Sequence, residues 1–424
     1  MTGAPAAVES RAMTGPTGAW MLDGIRVLDL CEEPGFFAGK ILAELGADVV
    51  HVEPPGGDLA ARRGPFVGDV PDPERSLPWL AQNTSKRGIT LSLRAPRGRE
   101  LFRALAARAD VVLETARPGA LEEQGLGFDA LHEALPRLVW CSLSPFGRTG
   151  PWARHRAHDL VVVALGGNAA LTGDPDRAPV RCTLPTAYLH GSAEAATGVA
   201  MALFARERSG RGQLVDVSLH EAQLSTLVTG AARWSLSKER RPRGGPRLGP
   251  TREIWRARDG DVSFGLRGGA ARAAGLAALV EYMHESGMAP EWLRQIDWKA
   301  YNHNDLDADS VARLEQAFGA FFASRTRREL YEEALRRRIL LAPCNDAREV
   351  LAHPQLRDRD FFTTLEYPEF GASIEHPAFF ARANAPEIRI RRRAPRIGEH
   401  NDEVYRGLGI EQEEIAKLRA EGVI

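Results

Sequence analysis

The sequence predicts an α/β protein built on a parallel sheet, and three observations predict it. Residues 25–30, Ile-Arg-Val-Leu-Asp-Leu, form a short, partly β-branched run that enters the turn-prone Glu32-Glu-Pro-Gly35. Phe37, Ile41, Leu42 and Leu45 then recur at helical spacing, and Gly46 stands where a glycine ends a helix. Ala47–Val52 is a second apolar run, stopped by Pro54-Pro-Gly-Gly57. Strand, helix and strand within about thirty residues make one βαβ unit, whose crossover requires parallel strands.

The alternation continues along the chain. Gly88–Leu93 reads as a strand, and Pro96 suits the first turn of a helix running to Ala107, with Leu101, Ala104 and Leu105 toward the core. Ala109–Glu114 and Leu138–Leu143 are further strands. This rhythm argues for a doubly wound α/β domain. A long Ala-rich helix is expected over Ala187–Glu207, ended by Gly210-Arg-Gly212, with a strand returning over Gln213–Leu219.

Residues 238–251 are basic and rich in Pro and Gly, which marks a boundary after a first part spanning 21–236, with the linker at 237–251. Beyond it, Glu253–Ala257 and Asp261–Leu266 flank Arg258-Asp-Gly260, a hairpin signal, and charged helical segments follow. A smaller α+β domain over 252–345 is expected, then a segment of short Pro-bounded pieces over 346–424 that ends in a helix at 411–420. Residues 1–20 lack the apolar stretch of a secretory signal and are expected to be a disordered leader.

Composition narrows the function. Lys plus Arg number 55 and Asp plus Glu 56, so the net charge of −1 gives no bulk attraction to nucleic acid or to an anionic membrane. An anionic ligand needs a local basic site. Cys31, Cys141, Cys182 and Cys344 form no CxxC pair, so neither a disulfide framework nor a zinc site is expected, and the thiols suit the cytoplasm. No apolar run approaches the roughly 18–20 residues of a membrane span. Dinucleotide, Walker, GxSxG and HExxH motifs are absent, and Gly35-Phe-Phe-Ala-Gly39 has the wrong spacing for nicotinamide or flavin binding.

A resemblance runs through the chain after residue 21. Leu22–Leu30, Leu42–Val50, Val52-Glu-Pro-Pro-Gly-Gly-Asp58, Asn83-Thr-Ser-Lys-Arg-Gly-Ile89, Ala109–Glu114 with Arg117-Pro-Gly119, and Leu143-Ser-Pro-Phe-Gly147 carry its first half. Gly150-Pro151, Arg206–Gln213, Ala342-Pro-Cys344 and Gly398-Glu-His400 extend it. Jointly these segments resemble the class III CoA-transferases, the carnitine and bile-acid CoA-transferase family.

The resemblance implies a Rossmann-like large domain completed by the C-terminal segment, a small inserted domain, and two chains interlocked as a dimer. It implies coenzyme A or an acyl-CoA as substrate and a carboxylic acid as acceptor. Lys86, Arg87, Arg117 and Arg156 occupy loop positions that match family segments near CoA, and Glu33 joins this binding set. Arginine and lysine suit phosphates through charge-assisted hydrogen bonds, although each one alone also reads as a solvated surface charge.

The family's chemistry is acyl transfer through an aspartate nucleophile that forms a mixed anhydride and then an aspartyl-CoA thioester. That aspartate falls in a Pro-x-x-Asp pattern at the start of the long helix, where this chain reads Leu184-Pro-Thr-Ala-Tyr188. A tyrosine cannot form an acyl anhydride. The chain therefore reads as the aspartate-lacking subunit of a heteromer with an aspartate-bearing partner, or as an enzyme of other acyl-CoA chemistry (an isomerase or hydrolase, with racemisation disfavoured because it needs the same aspartate), or as a non-catalytic CoA-binding subunit. The sequence leaves homodimer and heteromer both open. His158-Asp159 matches the family's His-Asp segment, where racemase members keep a base, and His190 or Glu194 stands near the missing nucleophile. Asp159 also reads as a cap on Leu160–Leu165.

Overall fold

A computed structural model describes residues 20–240, 242–384 and 388–424. The leader expected over residues 1–20 lies, apart from Trp20, outside the described residues. The chain forms two compact units, one of residues 20–168, 182–229 and 357–424, the other of 169–181 and 230–356. Residues 169–181 fall inside the stretch that the sequence assigned to the larger part.

The first unit holds a six-stranded sheet of β1 (Arg26–Leu30), β2 (Asp48–Glu53), β3 (Arg87–Thr90), β4 (Val111–Glu114), β5 (Val139–Ser144) and β6 (Leu214–Ser218). Every pairing is parallel, and the spatial order is β3-β2-β1-β4-β5-β6. Register pairs Leu28 with Val50 on one side and Val112 on the other. Successive side chains point to opposite faces, and each face has its own core. Leu28, Val52, Ile89, Val112 and Trp140 pack under Leu101, Phe102 and Leu105. Val27, Val49, Val111 and Val139 pack under Ile41, Leu42, Ala195 and Val199. Burial on both faces explains why the strands read as continuous apolar runs rather than alternating ones.

The covering helices are α1 (Phe36–Glu44), α2 (Leu77–Gln82), α3 (Pro96–Ala106), α4 (Asp159–Leu165) and α5 (Thr186–Ser209). α2 is short because Ser76 caps its start, accepting from Trp79 N, while Pro78 sits in its first turn. α5 ends at Gly210, whose φ of 70° suits the left-handed position that glycine takes without strain.

The C-terminal segment packs on the α3 side through Val404, Tyr405, Ile415 and Leu418. It also closes the exposed edge of β3. The His400 imidazole accepts from Gly88 N at 3.1 Å, Asn401 Oδ1 accepts from Thr90 N at 2.8 Å, and Tyr405 Oη donates to Thr90 O at 2.6 Å. An edge strand so covered has no free ladder to pair with another chain.

The second unit has a three-stranded antiparallel sheet, in which Gly260–Phe264 lies between Ile254–Ala257 and Leu341–Pro343. Helices Ala270–Glu285, Ala308–Ala323 and Arg327–Arg337 accompany it, over a core that includes Trp255, Phe264, Phe318, Phe321 and Phe322. No helix among the described residues is long and apolar enough to cross a membrane.

One buried histidine gives the fold a pH dependence. His376 is buried in the hairpin of Phe362–Tyr367 and Ala372–Pro377, with Nε2 3.1 Å from Tyr367 Oη. Burial first, and the Lys40 charge second, push its pKa down to about 4. The unfolded chain takes up a proton near pH 6.5 that the native protein refuses, so stability is lost as pH falls from there toward 4. Within that window one proton is worth about 1.4 kcal/mol per pH unit. Urea unfolding of His376→Gln is expected to lose that slope relative to wild type, and equal slopes would remove His376 as its source.

Candidate active site

The order of the sheet reverses between β1 and β4, and the crevice beyond the strand ends at such a switch point is the usual ligand position in open α/β sheets. The turn after β1 is fixed there from four sides. Cys31 N donates to Asp29 Oδ1 at 3.0 Å, and Glu32 N donates to Thr115 Oγ1, beyond β4, at 2.8 Å. Ser192 Oγ of α5 donates to Pro34 O at 2.8 Å, and Lys86 Nζ donates to Phe36 O at 2.9 Å. The turn therefore presents Glu33 on a rigid support.

Lys86 is fully buried beneath this turn. Its ammonium donates to Asp29 Oδ2 at 2.8 Å and to Asn83 Oδ1 at 2.8 Å as well as to Phe36 O. All three N–H groups are used, so none is left for a phosphate. Lys86 keeps the loop position expected for it, just before β3, but its buried ammonium holds the β1 turn in place of the expected CoA contact. Asp29 also lies 3.3 Å from His51 Nδ1. The pair presses against α1, where a Cβ at Gly39 would sit 2.3 Å from Asp29 Oδ2, so only glycine fits.

Tyr188 stands in the first turn of α5, half-buried. Burial, then the Glu33 and Asp159 carboxylates, push the phenol's pKa up against the opposing pull of Arg63. It is therefore a neutral hydroxyl at neutral pH. Asp159 is buried, and its Oδ1 accepts from Ala187 N at 2.8 Å. This corrects the expectation that it caps its own segment. Pro185 occupies the cap position of α5 without a side-chain acceptor, so the neighbouring carboxylate takes an orphan N–H instead. His158 precedes α4, is exposed, and makes no capping bond.

Glu33, half-buried, forms an ion pair with Arg63, whose side chain is 61% exposed. The two lie on the rim of a cavity of about 110 Å³, which Phe36, Pro78, Trp79 and Gln82 also line. Phe36 and Trp79 meet edge to face at 5.3 Å, and each also meets the His51 ring.

The remaining sequence-predicted residues are not gathered at this point. Arg87 opens β3 and bonds Asp48 and Glu403, a sheet-edge pairing rather than the expected loop position. His190 is two residues beyond Tyr188, a turn of about 200° around a helix. It faces away, exposed, with Nδ1 3.0 Å from Gln223 Nε2. Glu194 is exposed as well. Neither stands in for the aspartate at the Tyr188 position.

Arg117 follows β4, bonded to Glu123 at 2.9 Å. A Cβ at Gly119 would lie 3.8 Å from Glu123 Oε1, 3.9 Å from Arg154 Nη2 and 4.0 Å from Arg117 Nη1, so two guanidinium groups and one carboxylate meet at a glycine turn with φ of 93°. Arg154 and Arg156 are exposed, and neither has a hydrogen-bond or ion-pair partner among the described residues. The unpaired Arg154, beside this turn, and Arg156 are the donors that suit a phosphate.

Arg63, Trp79, Gln82 and Arg154 were missed in the sequence. Arg62-Arg63-Gly64 was the signal for the first, and a tryptophan flanked by Pro78 and Gln82 for the second.

Comparison with known proteins shows the family. The profile of CoA-transferase family III matches residues 22–401. The chain is 37% identical over 402 residues to the BbsE subunit of succinyl-CoA:(R)-benzylsuccinate CoA-transferase of Thauera aromatica, covering 94% of this chain and 97% of that one. It is 31% identical to succinyl-CoA–D-citramalate CoA-transferase of Chloroflexus aurantiacus, covering 95% and 98%. A CAIB/BAIF family protein from Brucella suis superposes with a TM-score of 0.78 at 27% identity, over 91% of this chain and 99% of that one. With a parallel sheet of this order, a turn fixed at its switch point and matches along nearly its whole length, the chain belongs to CoA-transferase family III.

Proposed function

We propose that this chain is one subunit of an acyl-CoA:carboxylate CoA-transferase whose reacting aspartate comes from a related partner chain. The observation that carries the reading is Tyr188. At the start of α5, where the family's nucleophile belongs, stands a neutral phenol whose pKa is raised by burial and by the charges of Glu33 and Asp159. In the proposed reaction the partner's carboxylate oxygen attacks the thioester carbon and the CoA thiolate leaves, giving an acyl anhydride. The CoA thiolate then attacks the aspartyl carbonyl of the anhydride and expels the donor acid, leaving an aspartyl thioester. The acceptor carboxylate attacks that thioester and releases CoA thiolate as a second anhydride forms. The thiolate then attacks the acceptor's acyl carbon to give the new acyl-CoA and free the aspartate.

Three observations support the assembly. The relative from Thauera aromatica is itself named as a subunit. Met201 and Phe204, on α5, are 68% and 65% exposed, large apolar side chains of the kind a partner surface covers. The chain's match to CoA-transferase family III and to a CAIB/BAIF family structure implies, by resemblance, two chains interlocked as a dimer. The four cysteines are unpaired, which fits the cytoplasm.

For CoA itself, Arg117, Arg154 and Arg156 are the proposed phosphate contacts. Arg154→Ala and Arg156→Ala are each expected to weaken CoA binding about tenfold or more, since one charge-assisted hydrogen bond contributes about 1.5–3 kcal/mol. Calorimetric titration reads this directly, and an unchanged affinity removes that arginine from the site. The function is tested by assaying the purified chain alone against succinyl-CoA and acetyl-CoA with a panel of carboxylic acids. A folded, CoA-binding chain without transfer is expected; transfer by the chain alone contradicts the reading.

A further inference from the structure

We infer that Arg148 is a positioning residue for CoA. Its guanidinium ties the loop after β4, which carries Arg117 and Gly119, to the loop after β5, which carries Arg154 and Arg156, and so builds one phosphate site from two loops. The inference rests on the CoA-transferase reading and its phosphate contacts, and adds to them a residue that touches no phosphate itself.

The strand ends supply the anchors. Glu114, Ser142 and Asp216 stand side by side in register across β4, β5 and β6. Two residues earlier, on the same face, the register is Val112, Trp140 and Leu214. The apolar sheet thus ends in a row that holds two carboxylates. Glu114 is 2% exposed, and its Oε2 accepts from Ala116 N at 2.6 Å, which fixes the start of the β4 loop. Burial pushes its pKa up, against the pull of Ser142, Ala116 N and Arg148. Arg148 N donates to both oxygens of Asp216, at 3.1 and 3.0 Å, which fixes the β5 loop to β6. The Arg148 side chain reaches the β4 loop at both ends. Its Nη1 lies 3.6 Å from Glu114 Oε1, at the loop's start, and its Nη2 donates to Glu122 Oε1 at 2.5 Å, at the loop's end.

This geometry separates holding from contact. The Arg148 side chain is 17% exposed and both of its terminal nitrogens face carboxylates, whereas Arg154 and Arg156 are exposed and unpaired. Where the loops meet, Arg154 Nη2 of one lies 3.9 Å from the Cβ position of Gly119 in the other. A phosphate held there needs both loops in place at once, because a charge-assisted hydrogen bond is short and directional. Charge adds to geometry. Glu114, Glu122 and Asp216 all act on Arg148, and Glu123 stands at the Gly119 turn. These carboxylates repel a phosphate, and Arg148 offsets part of that field. Its planar fork reaches two of them at once, which the compact ammonium of a lysine does not reproduce.

The test replaces Arg148 by glutamine and by lysine in the full chain. Hydrogen exchange read by mass spectrometry follows residues 115–121 and 149–156, with the β1 turn at 31–35 as internal control. CoA is titrated calorimetrically into each protein. Arg148→Gln is expected to speed exchange in both loops and leave the β1 turn unchanged. It is also expected to weaken CoA binding about tenfold or more, the loss that goes with one charge-assisted hydrogen bond. Arg148→Lys is expected to recover part of both effects. Loops that exchange as in the wild type, or faster loops with unchanged CoA affinity, overturn the inference. Faster exchange in the β1 turn as well, the mark of general destabilisation, overturns it too. A wild-type chain that binds no CoA overturns the transferase reading instead, and if Arg148→Gln still frees both loops together the tie between them stands.

Discussion

Replacing Lys86 by methionine is expected to destabilise the protein by about 3–5 kcal/mol, the usual penalty for removing one partner of a buried ion pair. The side chain keeps its length, but the Asp29 carboxylate, Asn83 Oδ1 and Phe36 O lose their donor together. None of them can reach water, since Asp29 and Asn83 are fully buried. Cys31 N and the β1 turn hang on the same carboxylate, so the loss extends to the support of Glu33.

The pH dependence gives this prediction a sign. In the wild type, burial alone would raise the Asp29 pKa, but the Lys86 charge and then His51 outweigh it and hold the carboxyl well below the ordinary range. Its stabilisation is therefore complete above the unfolded value of about 3.9 and is lost as pH falls through and below it. Without Lys86 the burial effect dominates, and the carboxyl moves above 3.9. The variant's deficit is then greatest near neutral pH and shrinks as the solution is acidified, because the native state takes up the proton first. Urea unfolding at about pH 7 and about pH 4.5 separates these behaviours. A deficit under about 1 kcal/mol, or one that does not change with pH, contradicts the account. Asp29→Asn combined with Lys86→Met is expected to recover part of the loss, since no charge is left unpaired.

The sheet was legible because each central strand is apolar on both faces, so Val27-Leu28 and Val111-Val112-Leu113 read as strands whichever side they face. The helix after β3 was legible from Pro96 and the spacing of Leu101 and Leu105. At the candidate site, the departure at Tyr188 was legible because Pro185 fixes the pattern in which the family's aspartate falls. Lys86 was misread because a lysine beside a strand reads as surface, and only the carboxylate of Asp29, 57 residues away, makes its burial tolerable. Arg63, Trp79 and Gln82 meet Glu33 through packing between distant segments that no local pattern records. His190 is different. Helical periodicity alone places it on the far side from Tyr188, so that information was in the sequence. For Asp159 the capping role was right in kind but belongs to α5, because Pro185 leaves that helix without a cap of its own.

The central claim is that transfer depends on a carboxylate this chain lacks. In an assembly with an aspartate-bearing partner, replacing the partner's aspartate by alanine is expected to lower transfer by on the order of 10³–10⁶-fold, the range for losing a nucleophile. Tyr188→Phe in this chain is expected to stay within a few-fold of wild type, because a neutral phenol forms no acyl bond. The most direct measurement is to supply succinyl-CoA, trap the intermediate with hydroxylamine and locate the modified residue by mass spectrometry. The account predicts a hydroxamate on the partner's aspartate and none on this chain. A modified residue in this chain, or a Tyr188→Phe assembly as inactive as the aspartate variant, would contradict it.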